Sequence, residues 1–476
     1  MDMRIITLIS CELAVSFSLM GDTGDISFGK PFAEGAVLQC GKAVPVWGTA
    51  STGMALRVSF GGQVKDTVAD ENGKWMVKLD SLEATKKERT LSVKSLDGGL
   101  EKNVAGIVVG EVWLCSGQSN MAMPIASGMP RFGDGIGAMV AQVTDKPFVR
   151  YLNATDQEGW HRLTPEFMMT SHSWRSALAI HYALELYDKL EIPVGVIAAS
   201  VGGSNIDTWI QGNGTNAINH VRCIAPLGPC ALRGALWYQG EANVTEVDEY
   251  PVKLARLHAE WKDWFCNPHL PLYLVQLAPY NYKKPQELAA LPRFMEAQAM
   301  YAATSPDATI TIINDIGNVY DIHPNNKWLV AKRLSLHAFR REYGFQNVED
   351  CSPTLAAAEI VATNRVRLVF NHAKSLYVYC EDLKMIRCAA FEMAGDDGEW
   401  KAAEIGNYPE LDWARRGVLT NNVIELVSKD LSRPTMVRYA YGAPFKGCLY
   451  NQVNLPCGPF CVEVCRRGGD DRYGSR

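Results

Sequence analysis

The sequence predicts an α/β protein whose central region has a parallel sheet with helices on both faces, flanked by β-rich regions. Between residues 105 and 345, short apolar runs rich in Val, Ile and Ala alternate with longer stretches of helical periodicity. This alternation is typical of parallel sheets that are covered by helices. On either side of this region, short strand-like runs are separated by turn residues, which is typical of all-β structure.

The length of the chain and the changes in pattern predict three structured regions. At 476 residues the chain exceeds the roughly 100–200 residues of an ordinary domain. We expect an N-terminal β-sandwich domain at residues 22–104, an α/β domain at 105–345 and a β-rich region at 346–476. Residues 1–21 contain an apolar stretch after Arg4, which resembles a signal segment, so a secreted or periplasmic protein is expected.

Composition and charge argue against two classes of partner. The net charge is −5 and no long basic run occurs, so no nucleic-acid surface is predicted. No run reaches the about 18 apolar residues of a membrane span, so none is predicted. The tightest of the cysteine clusters is Cys457, Cys461 and Cys465. We expect a disulfide there if the protein is exported, and no zinc site, because CxxC pairs and nearby histidines are absent.

The N-terminal region reads as a small β-sandwich. Strand-like runs occur at residues 43–48, 56–60 and 74–79, and turn residues stand at 61–62 and 71–73. Strands at such short intervals, joined by hairpin turns, are typical of sandwiches.

The elements of the other two regions follow from apolar runs and helical periodicity. Buried strands are predicted at residues 106–114, 194–199, 235–238, 272–277 and 308–314. Helices are predicted at residues 174–190, 250–265, 294–304 and 326–343. The C-terminal region shows short strands at residues 366–370, 376–379, 423–427 and 436–440.

Polar loops follow four of the central strands. They cover residues 116–120, 200–205, 239–243 and 314–323. Because the carboxyl ends of parallel strands lie at one edge of a sheet, we expect these loops to converge on one crevice.

The loops supply the groups that acyl transfer through serine requires, namely a nucleophile, a base and a group that orients the base. Ser119 follows a buried strand directly and is the candidate nucleophile. His323 is the candidate base, because an imidazole suits proton transfer near neutral pH. Either Glu241 or Asp321 could orient the imidazole.

Donors to a developing oxyanion are also available. The backbone amides of Ser119 and of Gly202 or Gly203 are candidates, since glycine lets the backbone approach closely. Gln239 could add a side-chain amide. The same loops carry three amide side chains that are predicted to bind the substrate: Gln118, Asn120 and Asn243.

Motifs of other enzyme classes are missing from the sequence. It has no HExxH, no P-loop and no GxGxxG after a strand, and no cofactor or metal is predicted. The Gly-x-Ser-x-Gly elbow of α/β-hydrolases is also missing, which favours a different serine-esterase fold. A pair of glycosidase carboxylates stays open, because any two acidic residues can meet in a fold.

At these loops the sequence resembles the sialate O-acetylesterases, a family of the SGNH-hydrolase superfamily. The resemblance is carried by four blocks in order, at residues 110–121, 200–204, 237–243 and 321–327. It continues through shorter matches at residues 45–48, 73–75 and 449–451, and so covers most of the chain.

The resemblance implies a flavodoxin-like three-layer α/β/α catalytic domain, of SGNH type, with accessory β domains. It implies hydrolysis of acetyl esters on sugars, typically O-acetylated sialic acid. By the same resemblance, Ser119 carries the acyl group, His323 is the base, and Gly203, Gln239 and the Ser119 amide form the oxyanion hole. An acetylxylan or other glycan esterase, and a carbohydrate-binding protein without catalysis, are the alternatives. The oligomeric state stays open.

The sequence departs from the family pattern near the histidine. Many members carry the acid three residues before the histidine, where this chain has Tyr320, and Asp321 lies two residues before. Related carbohydrate esterases use the glutamate of the Gln-Gly-Glu block to orient the histidine. In this chain that glutamate is Glu241, which is therefore slightly favoured as the orienting acid. Val201 replaces a common Trp, and the segment at residues 210–219 is shorter than in many relatives, so substrate preference is expected to differ.

Overall fold

The protein has a mixed α/β fold with one large sheet and several smaller ones. The computed structural model describes residues 25–124, 146–169, 175–379, 390–407, 417–442 and 446–466. The expected signal segment at residues 1–21 lies outside the described residues. In the part of the chain that the structure describes, no helix is long and apolar enough to cross a membrane.

The N-terminal region is built from β-strands, as the sequence indicates. They are β1 (Ser27–Phe28), β2 (Val37–Gln39), β3 (Val44–Thr49), β4 (Ala55–Phe60), β5 (Gln63–Val68), β6 (Lys74–Leu79) and β7 (Thr85–Ser95). Strands β1, β3 and β6 form one sheet, and β4 pairs with both β5 and β7. Gly61 and Gly62, both with positive φ, close the β4–β5 hairpin as predicted.

The large sheet is centred on one long strand. Its strands are β8 (Glu101–Gly117), β9 (Val149–Asn153), β10 (His161–Arg162), β11 (Val194–Ser200), β12 (Gly234–Tyr238), β13 (Leu272–Val275) and β14 (Ala308–Thr311). The order is β10-β9-β11-β8-β12-β13-β14, and all neighbours from β9 to β14 are parallel. The five predicted central strands are therefore present, and their carboxyl ends share one edge of the sheet.

Strand β8 also belongs to the N-terminal region. Its first half pairs with β7 and its middle pairs with β2, while residues from 111 onward pair with β11 and β12. A single strand therefore runs across the predicted boundary at residues 104/105. The three domain ranges stay a prediction.

The helices connect the strands of the large sheet. They are α1 (Ser119–Ala122), α2 (Pro165–Met169), α3 (Ala177–Leu190), α4 (Tyr250–Trp264), α5 (Pro285–Thr304) and α6 (Lys327–Arg341). Short 3₁₀ and π turns lie at Ile206–Trp209, Gln211–Asn216, His220–Ile224, Ala225–Leu227 and Glu241–Asn243. Helix α5 begins nine residues before the predicted start, and Pro292 lies buried inside the helix.

Helices cover the two faces of the large sheet. Val112 and Leu114 of β8 share a buried cluster with residues of α4 and α5. Trp113 and Cys115, which alternate with them, share a second cluster with residues of α3 and α6. Since successive side chains of a strand point to opposite faces, the pattern fits a sheet buried on both sides.

The C-terminal region is β-rich, as predicted, with a buried cluster of its own. Its strands are β15 (Thr354–Ala362), β16 (Arg365–Asn371), β17 (Leu376–Val378), β18 (Phe391–Ala394), β19 (Trp400–Ala402), β20 (Glu404–Ile405), β21 (Gly417–Leu419), β22 (Val423–Val427), β23 (Met436–Tyr439), β24 (Leu449–Asn451), β25 (Phe460–Glu463) and β26 (Cys465–Arg466). Cys457, Cys461 and Cys465 are free thiols. The disulfide expected among them for an exported protein is not formed.

Candidate active site

Ser119 lies at the carboxyl end of the central strand β8, as the first residue of α1. The turn into this helix passes through Gly117, whose φ is +138°. A Cβ atom at Gly117 would come within 2.1 Å of the Tyr238 carbonyl oxygen. Only glycine therefore lets the chain turn so close to the neighbouring strand β12, and this turn places Ser119 at the edge of the sheet.

The loop that follows β14 brings His323 against this serine. His323 Nε2 and Ser119 Oγ are 2.9 Å apart, which is a hydrogen-bonding distance. Both side chains come from polar loops at strand ends, 204 residues apart in the chain. The structure thus brings together the predicted nucleophile and the predicted base.

Asp321 is the carboxylate nearest to the imidazole among the ion pairs of the described residues. Its Oδ1 accepts a hydrogen bond of 3.1 Å from the backbone N–H of His323. The same oxygen lies 3.9 Å from His323 Nδ1. This distance exceeds a hydrogen bond, but it places a negative charge beside the nitrogen that faces away from Ser119.

Glu241, the other candidate acid, faces a different partner. Its Oε1 accepts a 2.5 Å hydrogen bond from Asn120 Nδ2, and the same Nδ2 donates to the carbonyl oxygen of Ile322 at 3.0 Å. Burial raises the pKa of Glu241, against the opposing effects of the Asn120 hydrogen bond and the charge of Lys327. Glu241 therefore reaches the histidine loop through Asn120 and not through the imidazole.

The glycine loop after β11 borders the nucleophile. The N–H of Val201 donates to the Gly117 carbonyl at 3.0 Å, which ties this loop to the end of β8. A Cβ atom at Gly202 would lie 3.8 Å from Ser119 Cβ, and Gly203 has a φ of +69°. Because the first N–H groups of a helix have no helical acceptor, the Ser119 amide is available at the same place.

Comparison with known proteins shows that this region is similar to carbohydrate esterases. Residues 109–312 match the family of carbohydrate esterases described as sialic acid-specific acetylesterase. The human sialate O-acetylesterase is 25% identical, over 89% of this chain and 90% of the human protein. The rat sialate O-acetylesterase is 22% identical, over 89% of this chain and 91% of the rat protein. A solved carbohydrate acetylesterase from Xanthomonas citri superposes with a TM-score of 0.79 at 28% identity, over 92% of this chain and 99% of that one.

The chain is a carbohydrate esterase. It is thus a carboxylic ester hydrolase, and the predicted resemblance to the sialate O-acetylesterase family is confirmed. The matched residues 109–312 include Ser119, Gly203 and Glu241, whereas His323 lies beyond them. In this esterase the support for His323 is therefore its distance of 2.9 Å from Ser119 and the sequence block around it.

Gln239, the predicted side-chain donor to the oxyanion, is fully buried. Its Nε2 donates to the Ser204 carbonyl at 3.0 Å and to Asn243 Oδ1 at 2.7 Å, and its Oε1 accepts from the Tyr250 hydroxyl at 2.8 Å. The two hydrogens of this amide are thus directed at protein acceptors. This placement favours support of the glycine loop over direct contact with an oxyanion.

The three amides that were predicted to bind the substrate are also buried. Gln118 Oε1 lies 3.2 Å from Gln239 Nε2 and faces the loop after β12. Asn243 accepts from the Ile206 N–H at 3.1 Å and donates to Glu246 at 3.0 Å. Asn120 bonds Glu241 and Ile322, as described above. These contacts favour a supporting role for all three amides.

Lys327 belongs to the site although no role was predicted for it. This side chain is buried, with 1% of its surface exposed, and its Nζ donates to Asn120 Oδ1 at 2.6 Å. The ammonium also lies 5.0 Å from the centre of the Tyr238 ring. Burial lowers the pKa of Lys327 to about 7, while the charges of Glu241 and Asp321 oppose this effect.

One signal in the sequence points to Lys327. It is the first residue of α6, whose N-terminus carries a partial positive charge. A lysine at that position is electrostatically unfavourable on local grounds. The presence of Lys327 at the end of the histidine block therefore indicates that the site requires a lysine at this position.

Proposed function

We propose that this esterase removes O-acetyl groups from sialic acid through an acyl-enzyme on Ser119. The observation that carries the proposal is the 2.9 Å distance between Ser119 Oγ and His323 Nε2. The same pairing argues against the alternative of a carbohydrate-binding protein without catalysis, since binding alone does not require a serine beside a base.

The proposed reaction follows the usual order of serine esterases. Ser119 Oγ attacks the acetyl carbonyl while His323 Nε2 accepts its proton. The N–H groups of Ser119 and Gly203 stabilise the tetrahedral oxyanion. The sugar oxygen then leaves with the proton from His323. Water, activated by the same imidazole, releases acetate and restores the serine.

Asp321 is the acid that the geometry favours for orienting His323. Its carboxylate lies 3.9 Å from Nδ1 and already holds the backbone N–H of the same residue. A negative charge there favours the tautomer with the proton on Nδ1, which leaves Nε2 free to accept the serine proton. The slight preference of the sequence for Glu241 is reversed in this proposal, because Glu241 Oε1 accepts its hydrogen bond from Asn120.

The substrate proposal rests on the relatives. The human and rat relatives are named sialate O-acetylesterases, and they are 25% and 22% identical over most of both chains. The Xanthomonas citri structure is named only as a carbohydrate acetylesterase. Its match at 28% identity keeps acetylated xylan or another glycan as the second candidate substrate.

Acetate release from O-acetylated sialic acid and from acetylated xylan, measured side by side, tests the proposal. We expect faster release from the sialic acid, and a loss of at least about 10³-fold in Ser119→Ala. Faster release from xylan would move the substrate to the second candidate. Acetate release by Ser119→Ala at the wild-type rate would overturn the mechanism on both substrates.

The finer architecture is proposed together with the function. We propose an SGNH-type three-layer domain at residues 105–345, with a β-sandwich at 22–104 and a further β region at 346–476. The two helix-covered faces of the large sheet support the first part. Export, with residues 1–21 as the signal segment, is proposed from the sequence pattern alone.

A further inference from the structure

We propose that Lys327 is a positioning residue for the catalytic histidine, acting through Asn120 on the loop that carries His323. The inference rests on the proposed Ser119–His323 chemistry and adds a residue to it. The hydrogen bond of the Lys327 ammonium goes to Asn120. Its effect passes through one side-chain amide that stands between the two catalytic loops.

The amide of Asn120 has partners of three kinds. Its Oδ1 receives the hydrogen bond from Lys327 Nζ at 2.6 Å. Its Nδ2 donates to Glu241 Oε1 at 2.5 Å and to the Ile322 carbonyl at 3.0 Å. An ammonium only donates, and a carbonyl oxygen or carboxylate only accepts. The Asn120 amide therefore satisfies all of its partners in only one orientation. Lys327 determines that orientation, because its ammonium requires the amide oxygen and not the amide nitrogen as its partner.

This orientation links the two catalytic residues through their chain neighbours. Asn120 follows Ser119 in α1, and Ile322 precedes His323 in the histidine loop. The hydrogen bond from Asn120 to the Ile322 carbonyl thus ties the nucleophile's helix to the base's loop. Loss of this tie would let His323 shift relative to Ser119, and a misplacement of about 1 Å can cost about 10²-fold in rate.

Lys327, Asn120 and Glu241 interact in a buried environment. Lys327 and Asn120 are both 99% buried, and Oε2 of Glu241 is buried with no hydrogen-bond partner among the described residues. Water therefore does not replace the partners of Asn120. Glu241 supplies the negative charge that offsets the buried ammonium, and the Tyr238 ring lies under it at 5.0 Å.

A double-mutant cycle between Lys327→Met and Asn120→Ala tests the inference, with p-nitrophenyl acetate as the substrate. In the wild-type background we expect Lys327→Met to lower kcat by about 10²-fold and to leave KM within about 2-fold. In the Asn120→Ala background the same change should lower kcat by less than about 3-fold, because its target is already gone. Equal losses in both backgrounds would overturn the inference.

Arg233→Met is the matched control. It breaks a buried ion pair between Arg233 and Glu111, and Glu111 lies in β8 six residues before the carboxyl end of that strand. We expect this variant to lose stability and to keep kcat near the wild-type value when it is assayed well below its melting temperature. A loss of kcat in Arg233→Met as large as that in Lys327→Met would mean that any buried charge matters equally, which contradicts a positioning role.

A second Asn120 variant and a Ser119 control complete the test. If Asn120→Ala does not fold, Asn120→Ser provides the second background. Wild-type hydrolysis of p-nitrophenyl acetate, with its loss in Ser119→Ala, reports on the proposed mechanism separately from the cycle. A wild-type enzyme with Ser119-dependent activity and an additive cycle would refute only the role of Lys327.

Discussion

The two acidic residues near His323 occupy different places, and their substitution separates their roles. Asp321 lies 3.9 Å from His323 Nδ1, whereas Glu241 bonds Asn120. We predict that Asp321→Asn lowers kcat by about 10²-fold, because the imidazole loses the charge that favours its working tautomer. Glu241→Gln should cost about 10-fold or less, since its amide oxygen still accepts from Asn120. The opposite order in steady-state kinetics would return the orienting role to Glu241.

The buried lysine predicts a pH dependence of stability. The pKa of Lys327 in the folded protein is about 7, below its ordinary value of 10.5. Between these values the unfolded chain binds more protons than the folded protein does, so this residue makes the free energy of unfolding rise with pH. Below pH 7 the residue is protonated in both states and contributes no slope.

Lys327→Met should remove this rise. Urea unfolding of the wild type and the variant at pH 7 and at about pH 9 measures the difference directly. We expect the wild type to gain stability relative to the variant as the pH increases, because the variant lacks the lysine that takes up a proton on unfolding. A difference that stays constant over this range would show that the lysine is not perturbed by burial.

Strand β9 shows why sequence patterns did not predict every strand of the large sheet. Its sequence contains Arg150, which interrupts the apolar run that would have identified it. The guanidinium is fully buried and donates to the Gly35 and Gly106 carbonyls and to Glu88. An arginine thus joins the large sheet to the N-terminal region, and polarity at that position reflects a tertiary contact.

Arg150→Met should destabilise the protein by about 3–5 kcal/mol, because it leaves buried carbonyls and Glu88 without their donor. Arg162 pairs with the same carboxylate but is half exposed. Arg162→Met is therefore the matched control, with an expected cost of less than about 1 kcal/mol. Equal changes in the denaturant midpoint for the two variants would contradict this account of β9.

Strands and helices differ in how far the sequence determines them. The five central strands were predictable because they are buried on both faces and read as continuous apolar runs. The start of α5 was not, since a proline such as Pro292 disfavours a helix interior, and the sequence alone does not show that this proline is buried. Such tertiary burial overrides local propensity, and no pattern within the segment reveals it.

The candidate site, like the fold, was predictable only in part from the sequence. Ser119 and His323 were found because strand-end loops converge by topology. Lys327 and the internal bonding of Gln239 were not, because they depend on which atoms face each other across loops that are distant in sequence. Position in a motif therefore indicated the candidate nucleophile and the candidate base, but not the side chains that bond to their neighbours.

At the scale of the whole molecule, β8 joins the N-terminal region to the catalytic sheet. Ile107, Val108 and Val109 are fully buried, and their strand partners lie in β2 and β7. We predict that a fragment of residues 105–345 does not fold alone, since removal of these strands exposes that apolar surface. Circular dichroism and esterase assays of the fragment and the full chain check this. A cooperatively folded fragment with full activity would contradict the shared-strand account.

The proposed mechanism requires a covalent acetyl group at Ser119. Rapid acid quenching of the wild-type enzyme during turnover of O-acetylated sialic acid, followed by peptide mass spectrometry, measures it most directly. We predict an acetylated peptide whose modified residue is Ser119, present in the wild type and absent in Ser119→Ala. Acetate release without any acetylated intermediate, or an acetyl group on a different residue, would contradict the central claim.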